Sequence, residues 1–147
     1  MAATDLFTEQ DRLQIKNAIA DAELLTSGEI RVYIEDECKG DVLDRAAFVF
    51  EELEMHKTEE RNGVLIYLAS DYKKFAIIGD VGIHVKVGDG FWKSIKEKMV
   101  VNFRAGNLTE GLSVAIKESG VALSKYFPRR TNDKNELSDE IVFGNEG

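Results

Sequence analysis

Residues 61–89 read RNGVLIYLASDYKKFAIIGDVGIHVKVGD, and this stretch decides the fold. It contains two apolar runs, Val64–Ala69 and Phe75–Ile78, which are joined by the polar link Ser70–Lys74. A polar link of about five residues between two apolar runs is typical of a β-hairpin. Because the first run is almost continuously apolar, we expect it to form a central strand covered on both faces, with the second run antiparallel to it.

Two helices and a strand are predicted before the hairpin. Thr8 is placed to cap a helix with Asp11 at its third position, and apolar residues at helical spacing extend this helix over about 9–25. Residues 29–35 alternate between apolar and polar side chains, which predicts a strand with one buried face. A second helix is expected over about 41–55.

Two further helices are predicted after the hairpin, at about 89–104 and 109–126, and Pro128 ends the second. We expect a single domain over residues 1–128, followed by a polar and flexible C-terminal tail over 129–147. Within this tail Ile141, Val142 and Phe143 are apolar enough to dock on the domain or on a partner.

The predicted order of elements is α-β-α-β-β-α-α. A strand, a helix and a strand in succession form a right-handed crossover, so the first two strands should run parallel, whereas the third reverses direction. The fold class is therefore α/β. We expect an α/β/α sandwich with a small mixed central sheet flanked by helices.

Composition limits the function classes. The 147 residues carry a net charge of −8 with a pI near 4.8, which argues against electrostatic binding of nucleic acid or anionic lipid. Cys38 is the single cysteine, so no internal disulfide can form. The sequence shows neither a signal peptide nor an apolar run near the roughly 20 residues that a membrane helix needs. We therefore expect a cytoplasmic protein with no membrane segment.

Polar side chains collect at two opposite edges of the predicted sheet. Edge A holds the starts of the first two strands and the end of the third; its residues are Thr26, Ser27, Gly28, Glu29, Thr58, Arg61, Asn62, Gly79 and Asp80, with Asp89 placed near them. Edge B holds the end of the first strand, the start of the second helix and the hairpin loop; its residues are Asp36, Glu37, Asp41, Asp44, Ser70 and Asp71. Calcium and magnesium take several oxygen ligands from converging loops, so each edge is a candidate cation site.

The sequence does not decide which of the two edges binds the cation. The candidate metal ligands are Asp80, Asp89, Glu29 and Asn62 at edge A, and Asp41 and Asp44 at edge B. Edge A has more glycines and a mixture of carboxylate, amide, guanidinium and hydroxyl groups. Edge B has more carboxylates and lies at the carboxyl ends of the parallel strands, where open α/β folds usually bind ligands. We favour edge A.

Simpler interpretations of these residues also stay open. Asp41 and Asp89 occupy positions that are typical of helix N-caps. Asp80 follows a glycine, where an aspartate often stabilises a turn. Glu29 is equally consistent with a solvated residue on the polar face of a strand.

Several motifs in a fixed order resemble the TPM-domain family. They are TSGEIRVYI at 26–34, KTEERNGVLIYLA at 57–69, KKFAIIGDVGI at 73–83 and FRAGNLTEGL at 103–112. The resemblance covers about residues 5–128. This domain is shared by a thylakoid-lumen acid phosphatase, a photosystem II repair protein and an acetylcholine-receptor modulator.

The resemblance implies an α/β/α sandwich, divalent-cation binding by loop aspartates, and a phosphatase activity that is proposed for the family. The asparagine–glycine entry to the family's second strand matches Asn62–Gly63, its glycine-rich third-strand end matches 79–82, and its aspartate before the next helix matches Asp89. Many relatives carry a signal peptide and a membrane helix, which this sequence does not show. It is most similar to a short, stand-alone bacterial branch.

Two functions follow. The first is a calcium-binding domain, with magnesium bound more weakly, that acts through a protein partner as an interaction or quality-control module and does not need the ion to fold. The second is a metal-dependent acid phosphatase, in which Asp80 and Asp89 hold the cation and Arg61 stabilises developing charge. Because no activated nucleophile or triad is evident, the sequence favours the first.

Overall fold

The computed structural model describes residues 2–71, 73–88, 90–129 and 140–144. Asp89 and most of the predicted tail therefore lie outside the described residues. A 3-10 turn at Ala3–Leu6 opens the chain. The helices are α1 (Glu9–Glu23), α2 (Val42–Glu52), α3 (Val81–Val87), α4 (Lys93–Arg104) and α5 (Leu108–Ser124). The strands are β1 (Glu29–Glu35), β2 (Gly63–Ala69), β3 (Lys74–Gly79) and β4 (Val142–Phe143).

The sheet has the strand order β3-β2-β1-β4. β1 and β2 run parallel in a register that pairs Val32 with Ile66, and β3 returns antiparallel with Ile77 opposite Ile66. Every residue of β2 is buried. The predictions of a central second strand, a parallel crossover through α2 and an antiparallel hairpin are therefore confirmed.

Helices cover both faces of the sheet. Because side chains alternate along a strand, one face carries Ile30, Val32, Val64 and Ile66, which join the core formed with α1, α4 and α5. The opposite face carries Leu65, Tyr67 and Ala69, which pack with residues of α2. The fold is thus a mixed α/β sandwich of the predicted class.

The ends of α1 and α2 follow the capping chemistry in the sequence. Thr8 Oγ1 accepts from the Asp11 amide at 3.1 Å, and the Thr8 amide donates to Asp11 Oδ2 at 2.9 Å, which forms a complete capping box. Asp41 caps α2. Within the described part of the chain, no helix combines the length and the apolar character that crossing a membrane requires.

The described elements differ from the predicted ones in three places. α3 occupies a region that was predicted as irregular, and the helix predicted over 89–104 begins only at Lys93. In addition, the tail contributes β4, which pairs parallel with β1 at Tyr33 and Ile34. Both missed elements are shorter than the stretch over which hydrophobic periodicity can be recognised.

Candidate functional site

At edge A, three of the predicted ligands come together at the ends of three adjacent strands. Glu29 lies opposite Gly63 in the β1–β2 register, and the Asp80 amide donates to the Gly63 carbonyl at 2.9 Å. The Glu29 amide donates to the carbonyl of Asn62 at 3.3 Å. Glu29, Asn62 and Asp80 are all buried. The structure therefore places these three residues at one edge of the sheet, while the side chains of Asn62 and Asp80 have different hydrogen-bond partners.

The Asp80 carboxylate is engaged by three donors. Arg61 binds it in a bidentate manner, with Nε 2.7 Å from Oδ2 and Nη2 2.9 Å from Oδ1, and the Val81 amide donates to Oδ1 at 2.7 Å. Asp80 is also the N-cap of α3. A cation bound here would have to share the carboxylate with the Arg61 guanidinium, whose positive charge opposes it. The role of Asp80 as a metal ligand stays a prediction.

The backbone at edge A is packed closely around Gly82. The Gly82 amide donates to the Arg61 carbonyl at 2.9 Å, and Arg61 itself has a left-handed φ of 53°. A Cβ at Gly82 would lie 2.2 Å from the carbonyl oxygen of Glu60 and 2.6 Å from that of Arg61. Only glycine permits this approach of α3 to the chain that enters β2.

Asn62 belongs to a separate hydrogen-bond network at the same edge. Its amide nitrogen Nδ2 donates to Ser27 Oγ at 3.3 Å and to Glu60 Oε2 at 3.4 Å. Ser27 Oγ donates to the same Glu60 oxygen at 2.9 Å, and the Asn62 backbone amide donates to Thr58 Oγ1 at 3.2 Å. These bonds tie the start of β1 to the loop before β2.

At edge B, Asp41 and Asp44 lie together in the first turn of α2. Asp41 Oδ1 accepts from the amides of Leu43 at 2.8 Å and Asp44 at 3.0 Å. Both aspartates are exposed. They line an open cavity of about 520 Å³ whose walls are Glu35, Glu37, Cys38, Lys39, Gly40, Asp41, Asp44 and Arg45.

The loop between β1 and α2 already holds a positively charged group. Lys74 Nζ donates to the carbonyl of Cys38 at 2.9 Å and is 3.5 Å from the carbonyl of Gly40. These two backbone oxygens thus face the same ammonium group. Carbonyl oxygens converging in this way are also the ligand type that calcium accepts.

Sequence reasoning missed a buried ionic cluster at edge B. Arg45 binds Glu35 in a bidentate manner, with Nε 2.8 Å from Oε2 and Nη2 2.9 Å from Oε1, and the Tyr67 hydroxyl donates to Oε2. The rings of Tyr33 and Tyr67 stack with centroids 6.0 Å apart. The parallel register pairs Tyr33 with Tyr67, so the polar face of β1 contained the signal for this cluster.

The cluster changes the acid–base properties of its members. Burial pushes the pKa of the Glu35 carboxyl upward, but hydrogen bonds from Arg45 and Tyr67 outweigh it and hold the pKa below its ordinary value. Burial and the neighbouring Glu35 raise the pKa of Tyr67. Glu35 is therefore a fixed anion at neutral pH, and its charge is balanced by Arg45.

The two groups of predicted ligands lie at opposite ends of the sheet. Glu29, Asn62 and Asp80 are at edge A, Asp41 and Asp44 are at edge B, and Asp89 falls outside the described residues. Across the described ranges, no three His, Cys, Asp or Glu side chains form a group that could hold a metal ion. A cation site in this part of the chain would therefore draw on backbone carbonyls or water as well.

Comparison with known proteins identifies the class. The chain matches the TPM domain family over residues 1–122, and it belongs to that family. A search among curated proteins gave no match.

Two solved structures of bacterial proteins are similar to this fold. The NMR structure of the BA42 protein from the psychrophilic bacterium Bizionia argentinensis is 44% identical, with a TM-score of 0.89 over 94% of this chain and 95% of that one. The N-terminal domain of a protein from P. gingivalis is 18% identical, with a TM-score of 0.69 over 88% of this chain and 85% of that one. The second similarity concerns the fold alone.

Proposed function

We propose that this TPM domain binds a divalent cation, calcium in preference to magnesium, at edge B, and that it acts as an interaction or quality-control module. The observation that carries this proposal is the loop that leads from β1 into α2. It directs two backbone carbonyls toward one ammonium group, beside an open cavity lined by the carboxylates of Asp41 and Asp44.

The geometry supports edge B over edge A because the carboxylates at the two edges differ in the hydrogen bonds that they already accept. Asp80 at edge A already accepts two hydrogen bonds from Arg61. At edge B, Asp41 uses Oδ1 as a helix cap, and a carboxylate has a second oxygen with which to bind an ion. The helix cap and a cation ligand are therefore compatible in this one side chain.

The affinity should be modest. The candidate ligands at edge B are exposed and come from one loop and one helix turn, and Lys74 competes for the two carbonyls. Extracellular calcium modules with comparably few fixed ligands bind in the range of about 10⁻⁴–10⁻³ M. The described core consists of apolar side chains packed between the sheet and the helices, so we expect the fold to persist in a chelator.

Calcium titration followed by amide chemical shifts tests the site. The proposal predicts that shifts concentrate at residues 36–44 and saturate at millimolar calcium. Asp44→Asn should weaken binding by about fivefold or more because it removes one charged ligand. Asp80→Asn is the matched control and should leave the calcium affinity unchanged. Shifts that concentrate at Glu29, Asn62 and Asp80 instead would move the site to edge A.

The second candidate function, a phosphatase, needs a separate test. It is a metal-dependent acid phosphatase at edge A, in which Arg61 would stabilise the phosphoryl group. In the structure Arg61 Nε and Nη2 are bound to Asp80, so a phosphoryl group would share the guanidinium with a carboxylate that already offsets its charge. We therefore expect only trace hydrolysis of a generic phosphomonoester in millimolar calcium or magnesium. Robust metal-dependent turnover that is abolished by Asp80→Asn, but not by Asp41→Asn, would establish the phosphatase instead.

A further inference from the structure

The C-terminal segment Glu140–Gly144 lies in a groove between the edge of β1 and helix α1. Its main chain pairs with β1 at Tyr33 and Ile34, and the Gly144 amide donates to the Ile34 carbonyl at 2.8 Å. Pairing of this kind adds a strand to an existing sheet edge, and its main-chain bonds are available to any extended segment that fits.

The side chains of the segment give the groove its selectivity. Phe143 is buried against Phe7, with ring centroids 6.1 Å apart, and the Arg12 guanidinium lies 4.6 Å from the Phe143 ring centroid. Lys16 Nζ is 2.5 Å from Glu140 Oε1. The groove thus recognises an acidic residue followed, three positions later, by an aromatic one.

Gly144 is the third residue of the segment that fits the groove closely. A Cβ at this position would lie 2.2 Å from the Tyr33 hydroxyl oxygen and 2.7 Å from the ring carbon that bears it. Any other residue would have to push the Tyr33 ring or lift the segment away from β1. The groove therefore favours glycine directly after the aromatic residue, because a side chain there would have to displace the Tyr33 ring.

The connection to the domain does not confine this segment to its own groove. Arg129 is fixed to the domain by a 2.7 Å hydrogen bond from Nη1 to the Glu23 carbonyl, and Glu140 reaches Lys16 on the same helix. Seven residues of helix separate Lys16 from Glu23, which is about 10 Å. The ten residues 130–139 have a contour length of about 33–36 Å. The contour length is therefore about three times the distance that the linker spans along α1 in its own molecule, which leaves length for exchange with a second copy.

The contacts that hold the segment are few. β4 contains two residues, and the Lys16–Glu140 ion pair is largely exposed, so solvent screens it. Phe143 is the buried apolar side chain among the described residues of the segment, and Ile141 is partly buried against the core. Release of the segment would uncover Phe143 and Phe7 together with the edge of β1, and an identical segment from another molecule would restore every one of these contacts.

We propose that the groove formed by the edge of β1 and α1 is a strand-addition site, and that its occupant in trans is the segment Glu140–Gly144 of a second copy of this chain. In a monomer the chain's own segment fills the groove. At high protein concentration two chains exchange segments and form a dimer. Because the contacts are the same in both states, the balance depends on the effective concentration of the tethered segment, which is about millimolar for a short linker.

The test uses a full-length Gly144→Val chain and a synthetic peptide of residues 138–147. The added side chain should weaken seating of the chain's own segment because it meets the Tyr33 ring, and no residue on β1 or α1 is changed. We expect the wild-type peptide to shift the amides of Tyr33 and Ile34 in this variant. Wild-type chain should need about tenfold more peptide because its own segment competes. A peptide with Phe143→Ala should bind at least about tenfold more weakly.

Sedimentation of the intact chains tests the second copy as occupant. Wild-type protein should show a dimer that grows as the concentration approaches the millimolar range, whereas Gly144→Val should remain monomeric. A full-length Phe143→Ala chain provides a second open groove if Gly144→Val disturbs Tyr33, and unchanged amide shifts in β2 and β3 verify that either variant is folded. Absence of peptide binding to both open-groove variants, or a wild-type chain that stays monomeric at several millimolar, would overturn the proposal.

Discussion

Edge A and edge B both contain a bidentate arginine–carboxylate pair, but the two pairs serve different parts of the fold. At edge A, Arg61 binds Asp80, and that same carboxylate caps α3. At edge B, Arg45 binds Glu35 on β1, whereas a different residue, Asp41, caps α2. Capping and ion pairing are thus combined in one side chain at edge A and divided between two at edge B.

This division explains why the two edges differ in what they offer a ligand. At edge A a single buried carboxylate accepts from three donors, and the positive charge of one of them, Arg61, opposes a second cation. At edge B the buried Glu35 accepts from Arg45 and Tyr67, and the exposed Asp41 and Asp44 line the cavity. The two edges thus differ in whether the capping aspartate is also held by an arginine.

The largest effect should come from Gly82→Ala at edge A. The added methyl group would lie within 2.6 Å of two backbone carbonyl oxygens, which cannot rotate away as a side chain could. We expect the free energy of unfolding to fall by about 3 kcal/mol, near the upper end for overpacked sites. Urea unfolding, monitored by circular dichroism, measures this change in the free energy of unfolding.

Gly40→Ala at edge B is the matched control for this substitution. A Cβ there would meet nothing within 4 Å, so stability should change by no more than about 0.5 kcal/mol. Equal losses for the two variants would show that edge A is not closely packed around Gly82.

Asp80→Asn should give the next largest effect. Asparagine keeps the cap on the Val81 amide, but it removes the negative charge that faces Arg61. Because Asp80 is buried, we expect a loss of about 1–2 kcal/mol in the free energy of unfolding. The exposed Asp71→Asn provides the comparison and should be almost neutral. Similar values for both would mean that the Arg61–Asp80 pair contributes no net stability.

The sequence predicted β2, β3 and their pairing well because a buried hairpin leaves a strong apolar pattern. It did not predict α3, because Asp80 and Gly82 were interpreted as parts of a loop. Their actual roles depend on contacts with Glu60 and Arg61, which are about 20 positions earlier in the chain. The pairing of Glu35 with Arg45 and Tyr67 was missed for a related reason: β1 was interpreted by its apolar face, and its polar face was assumed to contact solvent.

Removing the buried hydroxyl from the edge B cluster should have a smaller effect. Tyr67→Phe leaves the Glu35 carboxylate with one donor fewer in a buried site, and we expect a loss of about 1 kcal/mol. Tyr33→Phe on the same face is the comparison, because Tyr33 is only partly buried. Thermal unfolding at neutral pH measures both, and a neutral Tyr67→Phe would show that Arg45 alone satisfies Glu35.

The same cluster predicts a pH dependence. The folded pKa of Glu35 lies below its unfolded value, so the unfolded state binds more protons as the pH falls. The stability from Glu35 is therefore present above the ordinary glutamate pKa of about 4.3 and is lost as the pH falls through the folded pKa. Glu35→Gln should flatten this part of the stability profile, whereas Glu37→Gln on the exposed loop should not. A wild-type profile that matches that of Glu35→Gln would contradict the assignment.

The smallest effect is expected for Asp41→Asn at edge B, and it is the sharpest test of the division between capping and binding. Asparagine is as good an N-cap as aspartate, so without calcium the free energy of unfolding should change by no more than about 0.5 kcal/mol. Asp41→Ala removes the acceptor for the amides of Leu43 and Asp44 and should cost about 1 kcal/mol. Both substitutions should weaken calcium binding equally, because both remove the charge. Thermal unfolding with and without millimolar calcium separates the two roles. If Asp41→Asn destabilised the calcium-free protein as much as Asp41→Ala, the charge of Asp41 would be part of the fold, and edge B would resemble edge A.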